Sequence, residues 1–533
     1  MHPGGTVGPA QSRYHANLPS QGQGKLKVSQ LLPARPRIAI ERAPARLGAA
    51  LFDRLDALLL FVPRDAAAAL GALPHGTLLA RAHARRQRPA LGCHLVPVPT
   101  RRGLAVVIGV LPDGADAFQR LTLAGRMRHE LESLGATRIG LAALGTAARP
   151  ESLEALLAAA LVAAEPQPEF KSRTPQRVPA ATLVVCGTAD SERTAAVERG
   201  AHLARWLTAL PANVLSPRSY RRALGQLAAR HGWRMRVHDE AALRRAGAGA
   251  FLAVSRGSAR RDAALVHLQY RPRGRAARLA PIALVGKGLC FDTGGHNLKP
   301  AKAMFDMHTD MAGSAVALGV LEVLTATDYP RPVDAWLALA ENRIGPDAYT
   351  QQDVVTAANG TTIQVAHTDA EGRMVLADAL SLAARTRPVL IVDFATLTGA
   401  CVAALTERYS GVFTNRSSLR GALEAAGARS GERVWTFPTP ADFDEDLESK
   451  PADIVQCLLD GKGDHIYAAR FLSRFVPAGI PWVHVDLSSA QRTGGLAHVR
   501  QPLTGFGVRF ATELLADRDF LASLAHPQAA ARG

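Results

Sequence analysis

Seven ionisable residues fall in two short stretches of the 533-residue chain. Lys287, Asp292, Lys299 and Asp310 lie in VGKGLCFDTGGHNLKP and the HTD that follows it; Asp369, Glu371 and Arg373 lie in HTDAEGR. The ground around them is mostly Ala, Gly, Leu and Val. Carboxylates gathered in apolar surroundings repel one another and raise each other's pKa unless cations sit among them. Two divalent metal ions are the economical answer.

Each acid taken alone has an ordinary reading. Asp310 and Asp369 precede helical patterns and could be N-caps, and Asp292 lies in a turn with Gly294 and Gly295. Their grouping points to chemistry. Asp369 and Glu371 are two apart, so in an extended segment both side chains leave one face and can grip neighbouring metals. Lys287 resists an ordinary reading, because a charged ammonium inside IALVGKGLCF is costly without compensation. A desolvated lysine beside a metal can lose its proton and become a nitrogen ligand. Lys299 and Arg373 are read as cations, one to polarise a carbonyl and the other to hold an anion.

The elements that must position these residues alternate in type. Near-continuous apolar runs predict strands at 264–270, 281–288, 333–342, 389–397 and 481–489, and helical patterns cover about 311–327, 372–386 and 465–476. Such interleaving implies an α/β unit with a mostly parallel sheet covered on both faces. Ligands in these sheets sit beyond the carboxyl ends of the strands. Lys287 and the segment from Thr396 to Gly399 fall there. A smaller α/β unit precedes it, with strands at 103–111, 136–144 and 182–187, a helix and apolar run from Ala49 to Pro63, a polar loop at 166–179 and a helix at about 190–209. The expected division is a basic, disordered N-terminal extension (1–45), an N-terminal α/β domain (46–188), a catalytic α/β domain (189–520) and a C-terminal tail (521–533).

The 63 Lys and Arg outnumber the 46 Asp and Glu, giving a net charge of +17 and inviting a nucleic-acid reading. Only eight of those cations are lysine. The arginines are dispersed rather than striped, and aromatics at 5% are too few for base stacking, so coding bias in a GC-rich genome accounts for the balance. Cys93, Cys186, Cys290, Cys401 and Cys457 are scattered and odd in number, which predicts neither a disulfide framework nor a thiolate zinc site and suits a reducing cytoplasm. Neither a membrane span nor a secretory signal is expected.

VGKGLCFDTGG, NLKP, MHTDMAGS, TDAEGRMVLADAL and DFATLTGA, flanked by LPANVLSP before and AARFLSRFV, WVHVDLSSA and TGFGVR after, resemble the leucyl aminopeptidase family of cytosolic two-metal aminopeptidases over roughly residues 190–515. The resemblance implies a smaller N-terminal α/β, macro-like domain and a larger catalytic domain. It implies that Asp292 and Glu371 bridge two Mn²⁺ or Zn²⁺ ions, that Asp369 completes one site, and that Lys287 with Asp310 completes the other. It further implies that Lys299 stabilises an oxyanion and that Arg373 holds a bicarbonate acting as general base. Met307, Thr396, Leu397 and Gly399 match pocket positions, suggesting removal of Leu- or Met-like N-terminal residues from peptides by a homohexamer. His296, His308 and His367 lie in the motif blocks at positions not used for ligation, and His367 stands where relatives usually carry Asn. A DNA-binding role for the basic surface and a two-metal phosphoesterase remain as alternatives.

Overall fold

The computed structural model describes residues 31–34, 38–85, 91–172 and 182–524. The expected disorder of residues 1–30, and the tail from 525 onward, lie outside the described residues.

The N-terminal domain is built on a six-stranded sheet. Its order is Ala39–Ala43, Thr182–Cys186, Arg138–Ala143, Ala57–Val62, Leu104–Val110 and Cys93–Val98, parallel throughout except for the last pair. Every residue of Ala57–Val62 is buried because both faces are covered. Leu59 and Phe61 meet the helices Ala117–His129 and Pro150–Ala164, while Leu58, Leu60 and Val62 pack on the opposite side, as the two-residue period of a strand requires.

The larger domain carries an eight-stranded sheet in the order Val434–Thr436, Ser410–Thr414, Trp482–Asp486, Leu390–Ala395, Ile282–Asp292, Val333–Asn342, Ala264–Tyr270 and Arg234–Asp239. The four central strands are mutually parallel, and the sheet turns antiparallel on either side of them. Ile282 and Leu284 face a core shared with the helices Ser191–Thr208, Ala312–Ala326 and Val508–Ala516; Ala283 and Val285 face one shared with Gly249–Ser255, Glu371–Ala384 and Asp464–Ser473. This is the two-domain α/β architecture expected from the sequence.

Some boundaries differ. Ala39–Ala43, assigned to the N-terminal extension, is an edge strand paired in parallel with Thr182–Cys186. Leu31 and Leu32 are buried in the core of the catalytic domain, where the Leu31 carbonyl accepts from Trp206 Nε1 at 3.1 Å. The helix Arg518–Ser523 runs into the expected tail. Besides Ala39–Ala43, strands that escaped the sequence reading include Cys93–Val98, Arg234–Asp239, Ser410–Thr414, Val434–Thr436 and the small sheet of Val354–Thr356, Thr362–Gln364 and Ile454–Val455. They are short or lie at sheet edges, and Arg234–Asp239 (RMRVHD) has no continuous apolar run to betray it. The segment Ala301–Ala326 has the length and hydropathy of a membrane span, yet 83% of its most apolar window is buried inside the protein, as befits a core helix.

Candidate metal centre

Ile282–Asp292 is an eleven-residue strand that carries Lys287 in its middle and Asp292 at its end. Its parallel neighbour Val333–Asn342 matches it residue for residue until a register shift between Ala340 and Asn342 brings Asn342 opposite Asp292. Asn342 Nδ2 and the Gly294 amide then each donate to Asp292 Oδ1 at 2.8 Å. Asp310 lies just ahead of Ala312–Ala326, and Glu371 opens the helix Glu371–Ala384. Thr396 directly follows Leu390–Ala395. Lys287 therefore sits in mid-strand, because its strand runs on to Asp292 rather than ending near 288, while the other chemical residues lie past the carboxyl ends of the central strands or at the helix starts beside them.

The four carboxylates are interleaved with two ammonium groups. Lys287 Nζ lies 2.8 Å from Asp310 Oδ1 and 3.1 Å from Glu371 Oε1, and donates to the Thr396 carbonyl at 2.9 Å. Thr396 Oγ1 also donates to Asp310 Oδ1, at 2.8 Å. Lys299 Nζ bridges Asp292 Oδ2, at 2.9 Å, and Asp369 Oδ1. Helix Glu371–Ala384 can approach Lys287 this closely only because position 372 is glycine: a Cβ there would lie 2.6 Å from Lys287 Cε and 2.7 Å from its Nζ. Gly294 serves similarly in the turn after Asp292, with φ +84 and a Cβ position only 2.4 Å from the Asn297 carbonyl oxygen.

Two lysines against four acids leave two negative charges uncompensated in a buried space. Burial, then the neighbouring Asp292 carboxylate, pushes Glu371 up to about 8, and burial pushes Asp310 up to about 6. Burial and Asp292 also raise Asp369. Burial alone would depress Lys287, but Asp310, Glu371 and Asp292 outweigh it and hold the side chain firmly as an ammonium ion. The expected nitrogen-ligand role of Lys287 therefore requires a metal ion to displace that proton.

The donor set fits divalent metal. Ligand oxygens of Asp292, Asp369 and Glu371 lie within 4.8 Å of one another, and the buried Asp310 Oδ2 and Glu371 Oε2 have no hydrogen-bond partner among the described residues. Such orphaned oxygens are costly unless something cationic meets them. No histidine or cysteine belongs to the group. His296 Nδ1 donates to the Tyr349 carbonyl at 2.9 Å, His308 is half-buried with its pKa lowered by burial, and His367 Nδ1 accepts the Asp369 amide at 3.3 Å.

Arg373 departs from the sequence reading. It is 2% exposed, its Nη2 donates to both carboxylate oxygens of Asp464 at 2.7 and 2.6 Å, and its Nη1 donates to the Gln456 carbonyl at 3.2 Å. Its Nη2 thus holds a carboxylate of the chain itself where a free anion was expected, while its buried Nε has no hydrogen-bond partner among the described residues.

Of the expected pocket residues, Met307 is half-buried in a short 3₁₀ turn, Thr396 touches Lys287 and Asp310, and Leu397 lies against the Gly372 position. Gly399 is exposed at the start of Gly399–Leu405, whose N-cap Thr398 donates to Asp486 Oδ2 at 2.6 Å. A cavity of about 430 Å³ lies elsewhere, between the domains, walled by Arg120, Glu154, Arg193, Arg429 and Glu513. Sequence reasoning missed Asn342, Gln456, Asp464 and Asp486. The first ends a recognised strand, where a polar residue after an apolar run is a usable signal; the others gain their partners only through folding.

The description "Cytosol aminopeptidase family, catalytic domain" matches residues 202–512. A probable cytosol aminopeptidase of Parasynechococcus marenigrum is 42% identical over 349 residues, covering 64% of this chain and 70% of that protein. One from Syntrophotalea carbinolica is 42% identical over 328 residues, covering 60% and 65%. Among solved structures, a mutant tomato leucine aminopeptidase is 25% identical with a TM-score of 0.79, covering 91% of this chain and 98% of that one. The bottromycin maturation enzyme BotP in complex with Mn is 31% identical with a TM-score of 0.73, covering 86% and 98%.

Proposed function

Because the chain belongs to the cytosol aminopeptidase family, we propose that it is a metal-dependent peptide hydrolase that releases N-terminal residues, with Leu- or Met-like side chains preferred. The carrying observation is the convergence of buried Asp292 and Glu371 and half-buried Asp369 around one point, with uncompensated negative charge and unpartnered oxygens.

Two divalent ions, held by Lys287, Asp292, Asp310, Asp369 and Glu371, would supply a water of lowered pKa and polarise the scissile carbonyl. Mn²⁺ has the support of the Mn complex of BotP; carboxylate donors also accept Zn²⁺. Hydrolysis joins the water oxygen to the carbonyl carbon, breaks the C–N bond and delivers a proton to the departing amine. Lys299 is the group for the negative charge that develops on the carbonyl oxygen, since its ammonium is already held in the centre. Met307, Thr396, Leu397 and Gly399 would receive the N-terminal side chain. Lys287 and Arg373 are buried and engaged by carboxylates, which leaves few cationic donors for a phosphate ester and argues for a peptide substrate.

A homohexamer is the assembly we propose, with support from the exposure of Phe305 (82%), Leu459 (72%) and Leu298 (54%). A cytoplasmic setting suits the five cysteines, all free thiols. The test is a panel of aminoacyl-nitroanilides with Mn²⁺ or Zn²⁺ set beside a phosphate ester. Cleavage of the leucyl and methionyl substrates is expected; hydrolysis of the ester alone would refute the proposal.

A further inference from the structure

We propose that Asp464 is a built-in counter-anion for Arg373, occupying the place of a diffusible anion beside the metal centre and making turnover independent of dissolved bicarbonate. The inference rests on the aminopeptidase reading, and it names a positioning residue of that site.

Arg373 lies in the first turn of Glu371–Ala384, two residues beyond Glu371, and its guanidinium is within electrostatic reach first of Asp464 and also of Glu371. A guanidinium buried to this degree must be paired, because a lone buried charge is costly to desolvate. Asp464 meets that need with both oxygens on one nitrogen. It is the first residue of the helix Asp464–Ser473, presented by a turn in which Gly461 and Gly463 adopt φ +67 and φ +61. A carboxylate in a helix's first turn is also favoured by the helix dipole.

The ion pair is asymmetric in exposure. The Arg373 side chain is 2% exposed and that of Asp464 is 23%, so Asp464 is the partner that meets solvent. An anion arriving from solution would have to displace Asp464 or endure its negative charge at short range. It would also lose translational freedom on binding, a cost the covalently tethered carboxylate does not bear again. Asp464 therefore keeps Arg373 charged and oriented without an external ligand.

Binding is read first on metal-free protein, where no catalysis intervenes. With ¹³C-bicarbonate as probe, the wild-type NMR signal is expected to stay sharp, whereas Asp464→Ala and Asp464→Asn should broaden it; adding Arg373→Met to either variant should abolish the effect. Turnover is read second. Wild-type rate should not change between carbonate-depleted and bicarbonate-supplemented buffer. The Asp464 variants should lose about 10–100-fold in kcat, with KM little altered, and recover in part with bicarbonate or formate. Bicarbonate binding to wild type, a wild-type rate that falls on carbonate depletion, or an Asp464→Ala enzyme fully active without added anion would each overturn the proposal. The wild-type measurements do not depend on any variant folding. A wild-type protein that cleaves no aminoacyl amide would refute the aminopeptidase reading, while the binding result would still decide whether Asp464 blocks the anion.

Discussion

Asn342 and Asp292 end adjacent parallel strands, and the side chain of the first donates to the carboxylate of the second at 2.8 Å. The same Nδ2 donates to the Thr368 carbonyl at 3.1 Å, tying the strand end to the segment that carries Asp369. Asn342 thus orients two of the proposed ligand positions from behind.

Replacing Asn342 with Leu should preserve the fold's apolar volume while freeing Asp292 to rotate. Affinity for Mn²⁺ is expected to fall about 10–100-fold, the usual consequence of removing a group that orients a metal ligand. Calorimetric titration of metal-free protein measures this, and an unchanged affinity would show Asn342 to be only structural.

Glu371→Gln should retain the shape of the helix start and remove one charged ligand position. Less metal by elemental analysis and at least about a 100-fold loss of peptidase rate are expected. Lys299→Ala, in contrast, should lose about 100-fold in kcat while the metal stays bound, because its proposed role is toward the oxyanion. Equal metal loss in both variants would merge the two roles.

Gly372→Ala sets local propensity against packing. Alanine in an exposed helix interior typically gains up to about 1 kcal/mol over glycine. Here its Cβ would lie 2.6 Å from Lys287 Cε and 2.9 Å from Leu397 Cδ1, so lower thermal stability and reduced activity are expected. A rise in Tm with activity intact would mean that Lys287 relocates freely.

Glu198 forms a buried knot linking the domains. Its Oε1 lies 2.6 Å from Arg509 Nη1 and 3.1 Å from His498 Nε2, and Gly125 in the N-terminal domain packs on the His498 backbone. Burial works against ionisation, but His498, Arg509 and Arg205 outweigh it and bring the carboxyl down to about 2 from 4.5. The folded state then binds this proton less readily than the unfolded state. The resulting stability is present above pH 4.5 and is lost as pH falls toward 2. Glu198→Gln should destabilise the protein at pH 7, chiefly through the lost pairing with Arg509, and progressively less in acid. Urea unfolding at several pH values checks this; a gap that does not narrow on acidification would assign the loss to packing.

Chelation should abolish peptidase activity, and Mn²⁺ should restore it. Metal should also raise Tm, because it neutralises charge that Lys287 and Lys299 leave uncompensated; at 100 times its Kd a bound ion adds about 2.7 kcal/mol. Thermal scans with and without Mn²⁺ read this directly.

The sequence by itself determined the central strands, the helices beside them and the four carboxylates and two lysines that the fold brings together. It could do so because a parallel strand covered on both faces must be apolar throughout, so a lysine at 287 inside such a run is conspicuous. Edge strands such as Arg234–Asp239 carry no such requirement and stayed hidden. Only the tertiary structure decided how the charges are paired. Lys299 could have been a solvated surface side chain but folds back onto Asp292 and Asp369. Arg373 finds Asp464 across 91 positions of chain, where neither helix alone indicates the other. Ion pairs depend on distance and desolvation, and these are properties of the packed molecule rather than of spacing along the chain.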